Sequence, residues 1–243
     1  MYEKMLARAE ETGADMVGCD YCLTQEHSMK TGQVVHNNSP EQAGSLDHDK
    51  YASLILDSGS LVVKIYRRDI ILGCESRFPE GIFYEDNALG NTWMLRAKHF
   101  AYMPEPMYYY YQHEASTVHT ITRKRCEDRM EAGRIMIAEA KRYGYLEEYY
   151  KELECSFFRP FLCEYPVHLY VRRKKEGAFL CKSAGAMKCA ALFPDFQENP
   201  IIKNVLMRRR KKLVRMQQKS SLFFMIYFSL LWTYRNFRKK LKP

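Results

Sequence analysis

The chain has 243 residues, of which 47% are apolar and 28% are charged. These proportions are typical of a folded globular protein and exclude wholesale disorder, and the length allows a core without disulfide bonds. The first residues predict a polar helix instead of a secretory leader. We therefore expect a cytoplasmic protein whose eight cysteines are reduced.

Charge is distributed unevenly along the chain. Residues 201–243 contain thirteen Lys or Arg and no Asp or Glu, whereas residues 1–200 carry a net charge of −4. A mildly acidic body with a strongly basic tail favours an anionic partner, either a membrane leaflet or a nucleic acid.

Hydrophobic periodicity predicts an amphipathic helix at the start of the chain, followed by a buried strand. The apolar residues of the helix recur at i, i+3, i+4 and i+7, and Gly13 should end it. The strand, residues 16–22, contains Cys19 and Cys22. Residues three apart on a strand point to opposite faces, and no second C-x-x-C or H-x-x-x-H motif completes a zinc set. We interpret both cysteines as structural.

Polar and turn-forming residues separate the next elements. Residues 23–46 predict a long hairpin or loop. A short helix over residues 48–56 should follow, with Asp47 as its N-cap. An apolar run at residues 61–66 then leads into a basic segment.

The second half of the chain is predicted to be mainly helical. A helix should open near Tyr84 and end at about Ala97, before two strands at residues 100–103 and 107–111. Residues 123–158 are helical by pattern. Four prolines make any helices in residues 160–200 short or interrupted.

Two adjacent carboxylates, Glu85 and Asp86, open one of these predicted helices. A helix N-terminus stabilises negative charge, which keeps a carboxylate ionised, and an ionised, positioned carboxylate is what a general base needs. The alternative is that both residues only complement the helix dipole, as acidic residues in first turns commonly do.

Ordered motifs in the first half of the chain resemble the acceptor half of family 2 glycosyltransferases with the A-type fold. Such enzymes act in capsule, exopolysaccharide and teichoic-acid synthesis. The resemblance covers residues 1–122, and its blocks are residues 1–21, 64–68 (K-I-Y-R-R), 77–81 (R-F-P-E-G), 85–86 (E-D) and 108–116 (Y-Y-Y-Y-Q-H-E-A-S).

The resemblance implies an α/β fold, a truncated glycosyltransferase A-type domain followed by a mainly α-helical C-terminal region. We expect the acceptor half in residues 1–122, a helical region in residues 123–200 and a basic amphipathic tail in residues 201–243. The implied activity is transfer of a hexose-like sugar from a nucleotide-sugar donor to a saccharide or lipid-linked acceptor, with inversion at the anomeric carbon.

The resemblance also implies roles for individual residues. Asp86 would be the catalytic base that removes the proton from the acceptor hydroxyl. The expected acceptor-binding residues are Glu80, Glu85 and Tyr110. The expected contacts to the leaving diphosphate are Gln112, His113, Ser116 and His119. Gln112 stands where the family often has Arg, and a structural or surface role for each histidine stays open.

The nucleotide-binding part of the family pattern is not found in this sequence. The family binds a divalent cation, Mg²⁺ or Mn²⁺, through a D-x-D motif that precedes the acceptor half, where the metal stabilises the leaving diphosphate. The D-x-D string of this chain, residues 47–49, follows the strand that it should precede, so we interpret it as a helix cap. We expect an incomplete donor site, as in a truncated gene product, a late translation start or one piece of a split enzyme.

The basic tail contains an apolar run, residues 222–232, which would be about 16 Å long as a helix. A bilayer core is about 30 Å thick, so this run predicts an interfacial helix at an anionic membrane surface. We expect the protein at the inner face of the plasma membrane. The alternative is a terminal helix packed on the body. The aromatic residues form one block instead of alternating with cations, which argues against nucleic-acid binding.

Two classes of function therefore remain. The first is a glycosyltransferase or a fragment of one. The second is a catalytically inactive, membrane-peripheral scaffold or interaction protein derived from such an enzyme.

Overall fold

The computed structural model describes residues 1–28, 30–113, 122–158, 193–196, 198–205, 220, 222–223, 226–227, 229–230 and 233–234. The chain forms two compact units. The first contains Met1–Thr120 and Glu131–Tyr149, and the second contains Ile121–Met130 and Tyr150–Pro243. The division into residues 1–122, 123–200 and 201–243 stays a prediction.

The fold is mixed α/β. Up to residue 205, the helices within the described residues are α1 (Tyr2–Thr12), α2 (His48–Leu56), α3 (Arg68–Leu72), α4 (Glu85–Met94), α5 (Arg123–Arg142), α6 (Tyr145–Glu148), α7 (Tyr150–Phe158) and α8 (Pro200–Val205). The strands are β1 (Met16–Thr24), β2 (Gln33–Val35), β3 (Gly44–Ser45), β4 (Lys64–Tyr66) and β5 (His99–Tyr111). Short 3₁₀ turns lie at Pro40–Gln42 and Leu61–Val63.

The five strands form one mixed sheet around β1. Strand β5 runs parallel to β1 on one side, and β2 and β4 pair antiparallel with its other side. Strand β3 adds to the far edge of β5, also antiparallel. The parallel pair requires a buried central strand, and β1 supplies it, because Met16, Val17 and Cys22 are fully buried.

Several local predictions are confirmed. Gly13 caps the end of α1, since it adopts φ = 65° and donates its N–H to the carbonyl of Ala9, as a left-handed C-cap does. The segment after β1 returns as a hairpin through β2. Helix α2 has its predicted bounds. The predicted helical region 123–158 contains α5, α6 and α7.

One prediction about the strands is wrong. The sequence predicts two strands at residues 100–103 and 107–111, but β5 is continuous. Proline cannot donate a ladder hydrogen bond, which is why Pro104 and Pro106 suggest a break. The sheet accommodates them by two shifts in register, since Cys19 pairs with Met103, Asp20 with Pro106 and Tyr21 with Tyr108.

A buried carboxylate joins three segments of the first unit. Asp20, on β1, is completely buried. Its carboxylate accepts hydrogen bonds from His36 Nδ1 at 2.7 Å, from the backbone N–H of Asn37 at 2.9 Å and from the Tyr102 hydroxyl at 2.6 Å. Burial, reinforced by the bond to Asp20, raises the pKa of Tyr102. The carboxylate thus fixes β5 and the segment after β2 against β1.

The loop after α2 closes onto the same network. The side chain of Asn37 accepts the N–H of Ser60 at 2.5 Å and donates to its carbonyl at 3.3 Å. Gly59 has φ = 66°, and a Cβ there would collide with the carbonyl of Asn37. Only glycine satisfies both the backbone conformation and the close approach.

The second unit has a smaller polar centre. Asn199 donates to Glu154 Oε2 at 2.6 Å, and its own side-chain oxygen accepts the N–H of Ile201 at 2.9 Å at the start of α8. Burial raises the pKa of Glu154. Phe158 stacks on Phe196 with ring centroids 4.3 Å apart. In the portion of the chain described, no helix is long and apolar enough to cross a membrane.

Removing the Asp20 carboxylate should destabilise the protein more than removing any one of its donors. We expect Asp20→Ala to lower the free energy of unfolding by about 3–5 kcal/mol, because it leaves two buried donors, the N–H of Asn37 and the Tyr102 hydroxyl, without an acceptor. Tyr102→Phe should lower it by about 1 kcal/mol. Urea unfolding monitored by circular dichroism measures both. The exposed Asp49 is the control, since Asp49→Ala should change the value by less than about 0.5 kcal/mol. A smaller loss for Asp20→Ala than for Tyr102→Phe contradicts this account.

Candidate functional site

Helix α4 begins directly after a strained residue. Tyr84 precedes it with φ = 70°, and it is the one non-glycine residue with positive φ among those described. The left-handed region costs an L-residue about 1–2 kcal/mol, and such strain collects at functional sites. Glu85 and Asp86 follow as the first turn of the helix, where the sequence predicts them.

The carboxylate of Asp86 is held by the next residue. Its Oδ1 accepts hydrogen bonds from the backbone N–H and the side-chain amide of Asn87, both at 2.8 Å. Within the described chain, Oδ2 has no hydrogen-bond partner. Asp86 is half-buried. One oxygen is thus fixed and the other is available to accept a proton.

Glu80 and Glu85 lie at the two ends of the short segment that leads into α4. Glu80 is exposed in the loop before α4, and Glu85 is half-buried as the first residue of the helix. Neither carboxylate has an ion-pair partner in the parts of the chain that are described. This loop and the first turn of α4 therefore carry three carboxylates, two of them within the first turn of the helix.

A cavity of about 820 Å³ opens at the carboxyl ends of the parallel strands β1 and β5. In open α/β sheets, ligands bind in the crevice at this edge. The backbone N–H of Gln112 donates to the carbonyl of Thr24 at 2.7 Å, which continues the β1–β5 pairing up to the cavity wall. The cavity is lined by Leu23, Thr24, Gln25, Glu26, Thr31, Gly32, Gln33, Gln112 and His113.

Three planar side chains stack beside this cavity. The imidazole of His27 stacks on Tyr111 with ring centroids 4.4 Å apart, and His113 stacks on the same tyrosine at 5.7 Å. His27 also meets the edge of Tyr109 at 6.1 Å. His27 could not be predicted from the sequence, because it stands alone in a polar segment and no local pattern relates it to Tyr111.

The predicted site residues fall into two groups. Gln112 and His113 line the cavity, and Tyr110 lies on the adjoining end of β5, where its ring meets the edge of Tyr21 at 6.3 Å. The carboxylates at the start of α4 do not line this cavity. Ser116 and His119 lie outside the described residues.

Two basic residues of the family-like blocks make structural contacts. Arg67 forms ion pairs with Asp15 and Asp69, and Asp15 also accepts the N–H of Lys98 at 2.7 Å. These contacts tie the ends of β1, β4 and β5 together. Arg77 donates to the carbonyl of Cys74 at 2.6 Å and shapes the loop before α4.

Lys64, at the start of β4, has a desolvated amine. Its Nζ donates to the carbonyl of Ser58. Burial of the amine lowers the pKa of Lys64 to about 7, against a smaller opposing effect of Asp57. At neutral pH the amine is therefore partly neutral.

The D-x-D string caps a helix, as the sequence predicts. Asp47 is the N-cap of α2, and its Oδ1 accepts the backbone N–H of Lys50 at 3.0 Å. His48 stacks on Tyr149 with ring centroids 4.9 Å apart. Within the described residues, no group of three His, Cys, Asp or Glu side chains is arranged to hold a metal ion.

Comparison with known proteins adds no relatives to these observations. No model of a known protein family matches the chain. A search of the curated proteins finds no match either.

The strain at Tyr84 predicts an unusual order of stability. Tyr84→Gly should be more stable than Tyr84→Ala by about 1–2 kcal/mol, because both variants lose the ring but only glycine adopts φ = 70° freely. The exposed Leu6, inside α1, should show the opposite order by about 1 kcal/mol. Urea unfolding of the four variants tests this. Equal stabilities at residue 84 would show that the left-handed conformation is not adopted.

The desolvated amine of Lys64 predicts a pH-dependent effect. An unfolded lysine titrates near pH 10.5, so between about pH 7 and pH 10.5 the unfolded chain binds more protons here than the folded chain. The contribution of Lys64 to the stability therefore rises with pH. Relative to the wild type, Lys64→Met should be most favourable at about pH 6 and lose that advantage by about pH 10. Urea unfolding across this range measures it, and a constant difference contradicts it.

Proposed function

We propose that the chain is the acceptor-side part of an inverting glycosyltransferase of the A-type fold. Its substrates would be a nucleotide-sugar donor and a saccharide or lipid-linked acceptor in cell-surface polysaccharide synthesis. The observation that carries the proposal is the first turn of α4, where strained Tyr84 positions Glu85 and Asp86. Strain of this kind has no benefit for stability, which favours a functional reason for it.

Asp86 is the general base in this proposal. Its Oδ1 is fixed by Asn87, and its Oδ2 accepts the proton of the acceptor hydroxyl. As the proton leaves, the acceptor oxygen forms a bond to the anomeric carbon of the donor sugar. The bond between that carbon and the diphosphate breaks in the same displacement, so the configuration inverts. Glu80 and Glu85 orient the acceptor through its other hydroxyl groups.

The cavity at the ends of β1 and β5 is the proposed place for the departing diphosphate. Gln112 and His113 line this cavity, and both side-chain types can donate N–H groups to a phosphate. The resemblance also implies Mg²⁺ or Mn²⁺, which would neutralise the diphosphate. The described residues do not fit a metal, since they supply no set of three ligands, and no step of this mechanism uses one.

Replacing the proposed base should abolish transfer without affecting folding. We expect Asp86→Asn to lower the rate of sugar transfer by about 10²–10⁴-fold, since an amide cannot accept the proton. The full chain is supplied with nucleotide sugars, a divalent cation and undecaprenyl-linked acceptors, and release of the nucleoside diphosphate is measured. Asp69→Asn is the matched control, because Asp69 is likewise the second residue of a helix, α3.

A second arm provides the nucleotide-binding half of a family 2 transferase as a separate polypeptide. Transfer that depends on Asp86, with or without this addition, supports the proposal. No transfer under either condition, with a chain that is folded by circular dichroism, overturns it. The inactive scaffold is then the better hypothesis.

A further inference from the structure

The tail of the chain carries an exposed apolar stripe. Every described residue from Leu222 to Tyr234 is helical. Six of them have large exposed fractions: Leu222 66%, Phe223 59%, Ile226 49%, Tyr227 40%, Leu230 67% and Tyr234 57%. At the helical rotation of about 100° per residue, these six positions fall within an arc of about 140°, so helical spacing puts them on one face. We call this face the tail stripe.

Water is an unfavourable environment for such a face. Single exposed apolar residues are ordinary, but a contiguous patch marks a surface that another apolar phase covers. The described residues of the first unit expose large apolar side chains in different elements, such as Leu6 in α1 and Val62 in a 3₁₀ turn. The tail stripe differs because its members belong to one short segment and share one face at helical spacing.

The charge around the stripe identifies the phase that covers it. Residues 201–243 contain thirteen Lys or Arg and no Asp or Glu, and these basic residues lie on both sides of the stripe in sequence. A second copy of the same segment would bring like charges together. An anionic bilayer surface satisfies both properties, because its headgroups attract the cations and its acyl boundary takes up the apolar side chains.

The length of the stripe fits a helix that lies along the surface. From Leu222 to Tyr234 a helix rises about 20 Å, which is shorter than the hydrocarbon core of about 30 Å. Aromatic residues such as Phe223 and Tyr234 favour the boundary between headgroups and acyl chains.

We propose that the tail stripe docks the protein onto anionic membranes, with the stripe inserted into the acyl boundary and the flanking cations on the headgroups. This inference stands on the tail alone and does not rest on the glycosyltransferase proposal.

Vesicle binding tests the proposal with the full chain. Co-sedimentation is measured with phosphatidylcholine vesicles and with vesicles that contain about 30% phosphatidylglycerol, at about 0.1 M and about 0.5 M NaCl. We expect binding to the anionic vesicles at low salt that is at least about tenfold stronger than binding to the neutral ones. High salt should weaken it without abolishing it, because salt screens the charges and not the apolar contact.

Two triple variants separate the stripe from general surface hydrophobicity. Leu222→Ser, Ile226→Ser and Leu230→Ser together should reduce binding by at least about tenfold. The control combines Leu6→Ser, Val62→Ser and Leu72→Ser, which change side chains of similar exposure (56%, 53% and 50%) outside the tail, and it should bind as the wild type does. Circular dichroism establishes that both variants are folded.

Four results would overturn the proposal. The first is equal binding of the stripe variant and the wild type. The second is equal binding to neutral and anionic vesicles. The third is a wild-type dimer in light scattering that the stripe variant converts to a monomer, because a second copy would then cover the stripe. The fourth is that the protein binds a single-stranded oligonucleotide and does not bind the vesicles.

Discussion

The buried carboxylate of Asp20 is the constraint on which the first unit depends. A carboxylate with no exposure to water must be compensated by hydrogen bonds. Asp20 accepts three hydrogen bonds, from segments that are far apart in the chain. Tyr102 comes from β5, and His36 and Asn37 come from the segment after β2. Through Asn37 the same network holds Ser60 and the loop that leads into β4.

Asp20 also lies at the irregular part of the β1–β5 pair, from which both strands continue to the cavity. Asp20 lies where the register between β1 and β5 shifts around Pro104 and Pro106. Beyond that point the two strands pair again without interruption to Thr24 and Tyr111. The restored pairing brings the end of β5 to the cavity. The ring of Tyr111 then stacks on His27, which the turn after β1 supplies, and on His113.

The start of α4 is organised by a different physical effect. Tyr84 adopts an unfavourable left-handed backbone conformation. The two carboxylates that follow it lie in the first turn of α4, where the helix dipole favours negative charge. This turn is formed by neighbouring residues, which is why the sequence predicts it well. The cavity wall is formed by residues about ninety positions apart, such as Leu23 and His113. The sequence therefore predicted Gln112 and His113, on the β5 side of the cavity, through their resemblance to family motifs. It did not predict His27.

The sequence by itself determined the features that neighbouring residues create. These are the helices with their ends, such as Asp47 as the cap of α2, the carboxylate pair of α4 and the basic, apolar tail. Only the tertiary structure decided that β5 is continuous, that Asp20 binds His36 and Tyr102, and that one face of the tail is exposed. The physical reason is that caps and helix dipoles act within a turn of chain, whereas strand register, buried hydrogen bonds and exposure depend on which distant segments come into contact.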